Sequence, residues 1–180
     1  PLGLPEYKLP VYLGNSGGAS PSIDFDGGYA TTCDTYQHAY IVLSEIDPSP
    51  EGLDLRNHEL FHAIQMGGAS PYGVDGFYWE ASAVWAEKLA QPTRTDYSWV
   101  LPYFTHHTEW PMALEYESDH EDGPYHQYGM FLLPMFIEEH APSGAEVLRD
   151  VWTEGGEGLE SRLDEAWDRY SEDTDFRKEF

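Results

Sequence analysis

The sequence has one cysteine, few basic residues and no long apolar run. Cys33 is the only cysteine among 180 residues, so an internal disulfide framework is excluded. Nine Lys and Arg stand against 33 Asp and Glu, which gives a formal net charge of −24. Such a surface repels phosphate backbones and anionic lipids, and no apolar run reaches the roughly 20 residues of a transmembrane helix. We therefore expect no nucleic-acid partner and no membrane partner.

The residues that are present indicate a globular α+β chain. Hydrophobic residues make up 41% and aromatic residues 15%, and a chain of this length can bury the core of one domain or of two small lobes. Strand-like patterns come first and helical patterns follow, which is typical of α+β folds. A long aromatic segment, 91–124, is expected to be an irregular loop. The predicted strands are 9–13, 29–32 and 38–44, and the predicted helices are 53–66, 77–89, 125–140, 143–153 and 158–170.

Residues 57–65 read Asn-His-Glu-Leu-Phe-His-Ala-Ile-Gln and contain the pattern H-E-x-x-H. On a helix, His58 and His62 lie four positions apart on one face, so both imidazoles can bind one metal ion. Glu59 follows the first histidine directly. A carboxylate there can take a proton from a metal-activated water and pass it to a leaving amine. We expect three apolar residues on this helix to form its buried anchor: Leu60, Phe61 and Ile64.

A catalytic zinc usually has three protein ligands, so a third must come from outside this pattern. The longer pattern H-E-x-x-H-x-x-G-x-x-H is excluded, because the chain has Gln65 and Gly68 at its last two fixed positions. Glu80, near the start of the next predicted helix, is the preferred third ligand, and Asp75 is the alternative. Glu87 lies seven residues after Glu80, hence on the same helix face, and suits a role in orienting a histidine.

Two other acidic clusters are candidate calcium sites, although solvated loops are the simpler interpretation. We interpret Cys33 as a small buried residue, with a thiolate that caps the metal in a latent form as the alternative. The expected cofactor is therefore Zn²⁺, with Ca²⁺ as a second candidate. The calcium candidates are Asp24, Asp26, Asp119, His120, Glu121 and Asp122.

The histidine pattern and segment 79–87 together resemble the gluzincin clan of zinc metallopeptidases. In that clan a downstream E-G-x-A segment supplies the third ligand, and a glutamate seven residues later supports the site. Here Ala81 stands where the clan often has Gly. The chain is also similar to secreted bacterial and archaeal metalloproteases of the immune inhibitor A type. They share an H-E-x-F-H-A-x-Q pattern, a Trp-Glu segment and a later Tyr-Gly helix. The resemblance is loose over 38–180 and tight only at 58–65, 79–87 and 125–133.

The resemblance implies a zincin-like fold and a single metallopeptidase domain over 1–180. A small twisted sheet and the active-site helix would form an upper lobe of about residues 1–68, and a mainly helical lower lobe would span about 69–180. Segment 38–44 would be the edge strand that holds an extended substrate by backbone pairing. A secreted protein with a protein or peptide substrate is implied. The sequence begins without Met and without a leader, so we expect a mature or excised segment whose targeting signal lies outside it.

The resemblance also implies a side chain that stabilises the oxyanion of the transition state. In the aminopeptidase branch this is a tyrosine three residues before a glycine. With Gly129 as that glycine, the position falls on His126, which is the first choice. Tyr125 fits the residue type and is the second choice, and Tyr128 stays open.

The leading hypothesis is zinc-dependent hydrolysis of peptide bonds by an endopeptidase, with Glu59 as general base and then general acid. The alternative is a latent or inactive zincin-fold binding domain, or a structural metal-binding protein with an acidic surface. Glu59 beside the first histidine favours the enzyme, because a pure scaffold has no need of a carboxylate there. Peptide specificity and oligomeric state stay open.

Overall fold

The computed structural model describes residues 8–14, 27–32, 38–68, 76–93, 97–107, 123–153 and 158–170. These residues form three strands and seven helices, so the predicted α+β class is confirmed. The strands are β1 (Val11–Leu13), β2 (Gly28–Thr32) and β3 (Ala39–Leu43). The helices are α1 (Pro50–Gly68), α2 (Gly76–Ala90), α3 (Leu101–Thr105), α4 (Gly123–Gly129), α5 (Leu132–His140), α6 (Gly144–Thr153) and α7 (Leu159–Tyr170). Among the described helices, none is long and apolar enough to cross a membrane.

The sheet has the strand order β1-β3-β2, so β3 is its central strand. Strand β1 pairs with β3 in parallel, and β2 pairs with it in antiparallel fashion. The prediction that 38–44 forms the edge strand is therefore wrong. Its Ile41, Val42 and Leu43 are at most 4% exposed, and a short continuous apolar run of this kind suits a strand that is covered on all sides.

Strand β2 forms the edge of the sheet that faces helix α1. The Ser44 N–H donates to the Gly27 carbonyl at 2.8 Å. Along an antiparallel pair, successive residues direct their backbone groups alternately toward and away from the partner strand. The backbone groups of Gly28, Ala30 and Thr32 therefore point away from β3, toward the side on which α1 lies.

Helix α1 begins at Pro50, three residues before the predicted start. The Gly52 N–H donates to Ser49 Oγ at 3.1 Å, which makes Ser49 the N-cap, and proline is favoured at the first helical position that follows. The cap is itself fixed, because the Ser49 N–H and hydroxyl donate to the two oxygens of Asp47 at 2.8 and 2.5 Å. Residues 50–52 thus form the first turn of the helix.

Helix α1 lies between the sheet and the helical part of the chain. Leu55 and Ala63 pack toward the sheet, and the Phe61 ring contacts the Trp85 ring of α2 with centroids 6.1 Å apart. The prediction that Leu60 is part of the buried anchor is wrong. Leu60 is 41% exposed, because it points to a side of the helix that neither neighbour covers.

Helix α2 belongs to the larger hydrophobic core, which it forms with α5, α6 and α7. Tyr78, Ala81 and Val84 are completely buried. A helix held on this face has little freedom to rotate, since core side chains are close-packed. The directions of Glu80 and Glu87 are therefore set by the packing of α2.

The predicted single helix over 125–140 is wrong, because the chain breaks it into α4 and α5. Pro134 has no N–H to donate to the Met130 carbonyl, and the Leu133 N–H donates to that carbonyl instead at 2.9 Å. Gly129 ends α4 where α3 approaches, and a Cβ there would lie 2.9 Å from the Phe104 backbone nitrogen. Helix α3 also shows that segment 91–124 is not wholly irregular.

Candidate metal centre

Three potential ligand atoms converge between α1 and α2. His58 Nε2 lies 3.0 Å from Glu80 Oε2, and His62 Nε2 lies 3.3 Å from the same oxygen. The two Nε2 atoms are 3.0 Å apart. Both histidines are buried, at 8% and 5% exposure. These three side chains form a group that could hold a metal ion, so this part of the sequence prediction is confirmed.

The spacing of these atoms fits a zinc ion. In tetrahedral zinc sites, bonds to nitrogen and oxygen of about 2.0–2.1 Å separate neighbouring ligand atoms by about 3.3 Å. The three separations in this cluster are 3.0, 3.0 and 3.3 Å. Two imidazoles and one carboxylate are also a donor set found in catalytic zinc sites, which keep one coordination position for water or substrate.

The outer nitrogens of both imidazoles bond to acceptors. His58 Nδ1 donates to Glu87 Oε1 at 2.7 Å, and His62 Nδ1 donates to Gln65 Oε1 at 2.7 Å. The orientation of the Gln65 amide follows from the Trp79 carbonyl, which can only accept and lies 3.2 Å from the amide nitrogen. With protons on Nδ1, the inner Nε2 atoms of neutral imidazoles present lone pairs to the centre of the cluster.

The charges of the cluster favour a bound cation. Burial opposes a charge on His58, but hydrogen bonds and charges from Glu80 and Glu87 outweigh it and raise the pKa of His58 to about 10. Burial also opposes ionisation of Glu80, but its bonds to the two histidines lower the pKa of Glu80 to about 2. Burial raises the pKa of Glu87. At neutral pH the metal-free cluster therefore keeps a proton on His58, and a metal ion could take the place of that proton.

Glu59 lies beside the cluster, between α1 and strand β2. The residue is 5% exposed, and burial raises the pKa of its carboxyl group. The Ala30 N–H, one of the outward amides of β2, donates to the carboxylate. Its Oε2 atom is buried and has no hydrogen-bond partner in the described part of the chain. A buried acceptor of this kind is costly unless a ligand or water completes it.

A cleft of about 590 Å³ is lined by Glu59 and by His58 of the metal cluster. Residues of helix α1 line it, as do Gly27 and Gly28 at the start of β2. Aromatic side chains from the turn before α3 and from α4 also line the cleft. The residues that line the cleft are Gly27, Gly28, Glu51, Asp54, Leu55, His58, Glu59, Glu87, Ser98, Trp99, Tyr125 and Tyr128.

The three candidate oxyanion donors occupy different places. Tyr125 and Tyr128 line the cleft, and the Tyr128 ring lies 6.1 Å from the His58 ring, measured between centroids. His126 is 1% exposed, and its Nδ1 donates to the Tyr103 carbonyl at 2.9 Å. The structure thus places His126 against α3 and outside the lining of the cleft.

Gln65 is the site residue to which the sequence reasoning assigned no role. It is 1% exposed and bridges α1 to α2, because its amide nitrogen also donates to the Trp79 carbonyl at 3.2 Å. Its spacing could have indicated this role, because a residue three positions after His62 lies on the same helix face.

Other sequence candidates lie outside the described residues: Asp24, Asp26, Cys33, Asp75, Asp119, His120, Glu121 and Asp122.

Comparison with known proteins finds no relative of this chain. The chain matches no protein-family profile, no curated protein and no solved structure.

Proposed function

We propose that this chain is a zinc-dependent peptidase of the gluzincin type that hydrolyses peptide bonds. The observation that carries the proposal is the position of Glu59. Its buried carboxylate lies next to three converging potential metal ligands, and it lines the cleft together with one of them, His58. A structural metal site needs no further carboxylate with an unbonded oxygen beside it and usually surrounds its metal with four protein ligands.

The residues that would hold the metal are His58, His62 and Glu80. When bound, zinc supplies Lewis-acid polarisation of a carbonyl group and acidifies water. Glu87 and Gln65 hold the two imidazoles by their Nδ1 protons, so that both Nε2 atoms stay available to the metal. This arrangement supports zinc in place of a hard cation such as Ca²⁺, which prefers oxygen ligands.

Glu59 is the general base and then the general acid in this proposal. Its carboxylate takes a proton from the attacking water and later delivers it to the nitrogen of the leaving amine. The buried position raises the pKa of the carboxyl group, which brings it closer to the neutral range in which a carboxylate can both accept and return a proton. The Ala30 N–H fixes the carboxylate in place.

Strand β2 is the proposed binding edge for an extended peptide. Every second residue of β2 directs its backbone N–H and C=O away from β3, and the Ala30 N–H already donates to Glu59. Gly28 and Thr32 present their backbone groups on the same edge, where a substrate strand could add to the sheet. The arrangement of an antiparallel edge strand, α1 and a helical part below supports the zincin-like fold that the sequence resemblance implies.

We assign the oxyanion donor to a cleft tyrosine in place of His126, with Tyr128 as the first choice. The Tyr128 ring contacts the His58 ring of the cluster, and a phenol can donate to a negatively charged oxygen. Tyr125 is 48% exposed at the cleft wall and is the second choice. His126 directs one ring nitrogen to the Tyr103 carbonyl, which supports a packing role.

Metal content and hydrolysis measured on one preparation test this function. We expect one zinc per chain by elemental analysis. We also expect cleavage of unfolded casein that a chelator abolishes and added zinc restores. Bound zinc without chelator-sensitive cleavage would instead support a zincin-fold binding domain. A chain that binds no zinc would contradict the proposal outright.

A further inference from the structure

A series of hydrogen bonds runs from the metal cluster into helix α2. His62 Nδ1 donates to Gln65 Oε1 at 2.7 Å, and Gln65 Nε2 lies 2.9 Å from Ser82 Oγ. Ser82 Oγ in turn lies 2.5 Å from the carbonyl oxygen of Tyr78, one helical turn earlier. Ser82 and Gln65 are each 1% exposed, and buried polar groups of this kind depend on one another for partners. The series therefore joins a potential metal ligand on α1 to the backbone of α2 through two buried side chains.

The direction of each bond in this series is set at the α2 end. Ser82 Oγ lies 2.5 Å from the Tyr78 carbonyl and 3.3 Å from the Trp79 carbonyl, and both oxygens can only accept. The single hydroxyl proton is therefore used on the backbone, so Ser82 can only accept from Gln65. The amide nitrogen of Gln65 must face Ser82, and its second proton goes to the Trp79 carbonyl at 3.2 Å. The amide oxygen is thereby directed to His62.

A reversed Gln65 amide would select the other tautomer of His62. Its oxygen would face two acceptors, Ser82 Oγ and the Trp79 carbonyl, and its nitrogen would face His62 Nδ1. A donor at that place requires a lone pair on Nδ1, so the proton of the neutral imidazole would lie on Nε2. His62 Nε2 is the atom that lies 3.3 Å from Glu80 Oε2. With a proton there, it offers no lone pair to a metal ion.

Ring packing around His62 does not select the tautomer. The His62 ring stacks on the Trp79 ring with centroids 5.4 Å apart and planes at 10°. The His58 ring meets it edge-on, at 4.6 Å and 88°. These contacts restrict the tilt of the imidazole, but its two tautomers have the same shape. The choice between them therefore depends on the hydrogen-bond partner of Nδ1.

We propose that Ser82 is a positioning residue of the metal centre. It acts through Gln65, because its hydroxyl holds the amide in the orientation that leaves His62 Nε2 without a proton. Partners of metal-bound imidazoles commonly fix the tautomer in this way. Here the arrangement extends one residue further, to the helix that also carries Glu80. The inference depends on the metal-binding part of the proposed function and not on the hydrolysis of peptides.

Zinc affinity, measured by competition with a chromophoric chelator, tests this role. Ser82→Ala should raise the zinc Kd by about 3- to 10-fold, the range for one neutral hydrogen bond. Ser82→Thr should keep the parental Kd, because threonine in a helix can donate to the carbonyl four residues earlier. Ser161→Ala is the matched control, since the Ser161 hydroxyl donates to Glu165 on the surface of α7. The parental Kd in a folded Ser82→Ala protein would overturn the inference.

A double-variant cycle shows whether Ser82 acts through Gln65. In a Gln65→Ala background the connecting amide is absent, so the addition of Ser82→Ala should change the zinc Kd by less than about twofold. Residues that act as one unit show such non-additive effects. A further weakening of about 3- to 10-fold, as in the parent background, would contradict the assignment, because Ser82 would then act by another route.

The tautomer of His62 can be observed in the metal-free protein. Nitrogen NMR of isotope-labelled histidine distinguishes a proton on Nδ1 from one on Nε2, and the same shifts establish that the ring is neutral. We expect the Nδ1–H form in the parent and in Ser161→Ala. In Ser82→Ala the population of the Nε2–H form should rise by about 3- to 10-fold relative to the Nδ1–H form. An unchanged ratio would overturn the inference. Because this measurement needs neither zinc nor turnover, it remains decisive where the chain binds no zinc and the proposed function fails.

Discussion

Gly28 of strand β2 lies directly against Glu59 of helix α1. A Cβ added at Gly28 would lie 2.8 Å from Leu43 Cδ2, 3.0 Å from the Val42 carbonyl oxygen and 3.3 Å from Glu59 Cγ. A side chain at position 28 therefore requires a shift of the strand, of the Leu43 side chain or of the carboxylate. The absence of a side chain there lets the edge strand approach the helix closely enough for the Ala30 N–H to reach Glu59.

Gly28→Ala should reduce turnover and leave zinc bound. The added methyl group displaces Glu59 relative to the metal ligands, and misplacement by about 1 Å can cost about 100-fold in rate. We expect a drop in kcat of about 10- to 100-fold, measured on a peptide substrate beside zinc content. Gly67→Ala is the matched control, because a Cβ at Gly67 meets no atom within 4 Å. Equal turnover in the two variants would show that Gly28 does not position Glu59.

Gln65→Ala should weaken zinc binding, because His62 Nδ1 then loses the acceptor that holds its ring. Loss of such a partner typically costs about 10- to 100-fold in metal affinity. Competition with a chromophoric chelator measures this change. Gln65→Glu keeps an oxygen acceptor for His62 and should retain more affinity than the alanine variant. Melting temperatures of the metal-free proteins establish that both are folded. Wild-type zinc affinity in a folded Gln65→Ala protein would rule out this role.

Zinc affinity should rise with pH across the neutral range. The pKa of His58 in the metal-free protein is raised to about 10, so below that pH the site holds a proton that zinc must displace. Release of one proton lowers the zinc Kd by about tenfold per pH unit. Titrations at pH 6, 7 and 8 with a chelator of known pH dependence measure this slope. A Kd that does not vary with pH would contradict the proton on His58.

The oxyanion donor can be identified by three single variants. Tyr128→Phe should lower kcat by about 10²- to 10³-fold, the usual cost of removing one oxyanion donor, while zinc stays bound. Tyr125→Phe should have a smaller effect. His126→Ala should act mainly on stability, because His126 is 1% exposed. A loss of kcat confined to His126→Ala in a stable protein would restore the histidine as donor. Three variants that cleave like the parent would place the donor elsewhere, such as in segment 91–124.

Local spacing accounts for the part of the site that the sequence predicts. His58 and His62 share a helix face because they are four residues apart, and Glu80 and Glu87 share one because they are seven apart. The structure places the two faces opposite each other, with His58 between both glutamates. These relationships require only that two consecutive helices form and pack.

Long-range contacts account for what the sequence does not predict. The central position of β3 depends on which strands pair, and no local pattern encodes the order β1-β3-β2. The break between α4 and α5 was signalled by Pro134, but the apolar pattern continues across it. The burial of His126 depends on the approach of α3 to α4, which spacing relative to Gly129 cannot reveal.

Replacement of Glu59 tests the central claim most directly. Glu59→Gln keeps the size and shape of the side chain and removes the group that accepts the proton. Zinc content and casein cleavage would be measured for the parent chain, for Glu59→Gln and for the surface control Glu139→Gln. We predict full zinc occupancy in all three proteins. Turnover should fall by about 10²- to 10⁴-fold in Glu59→Gln alone. Near-parental cleavage by a zinc-loaded Glu59→Gln protein would contradict the proposed chemistry.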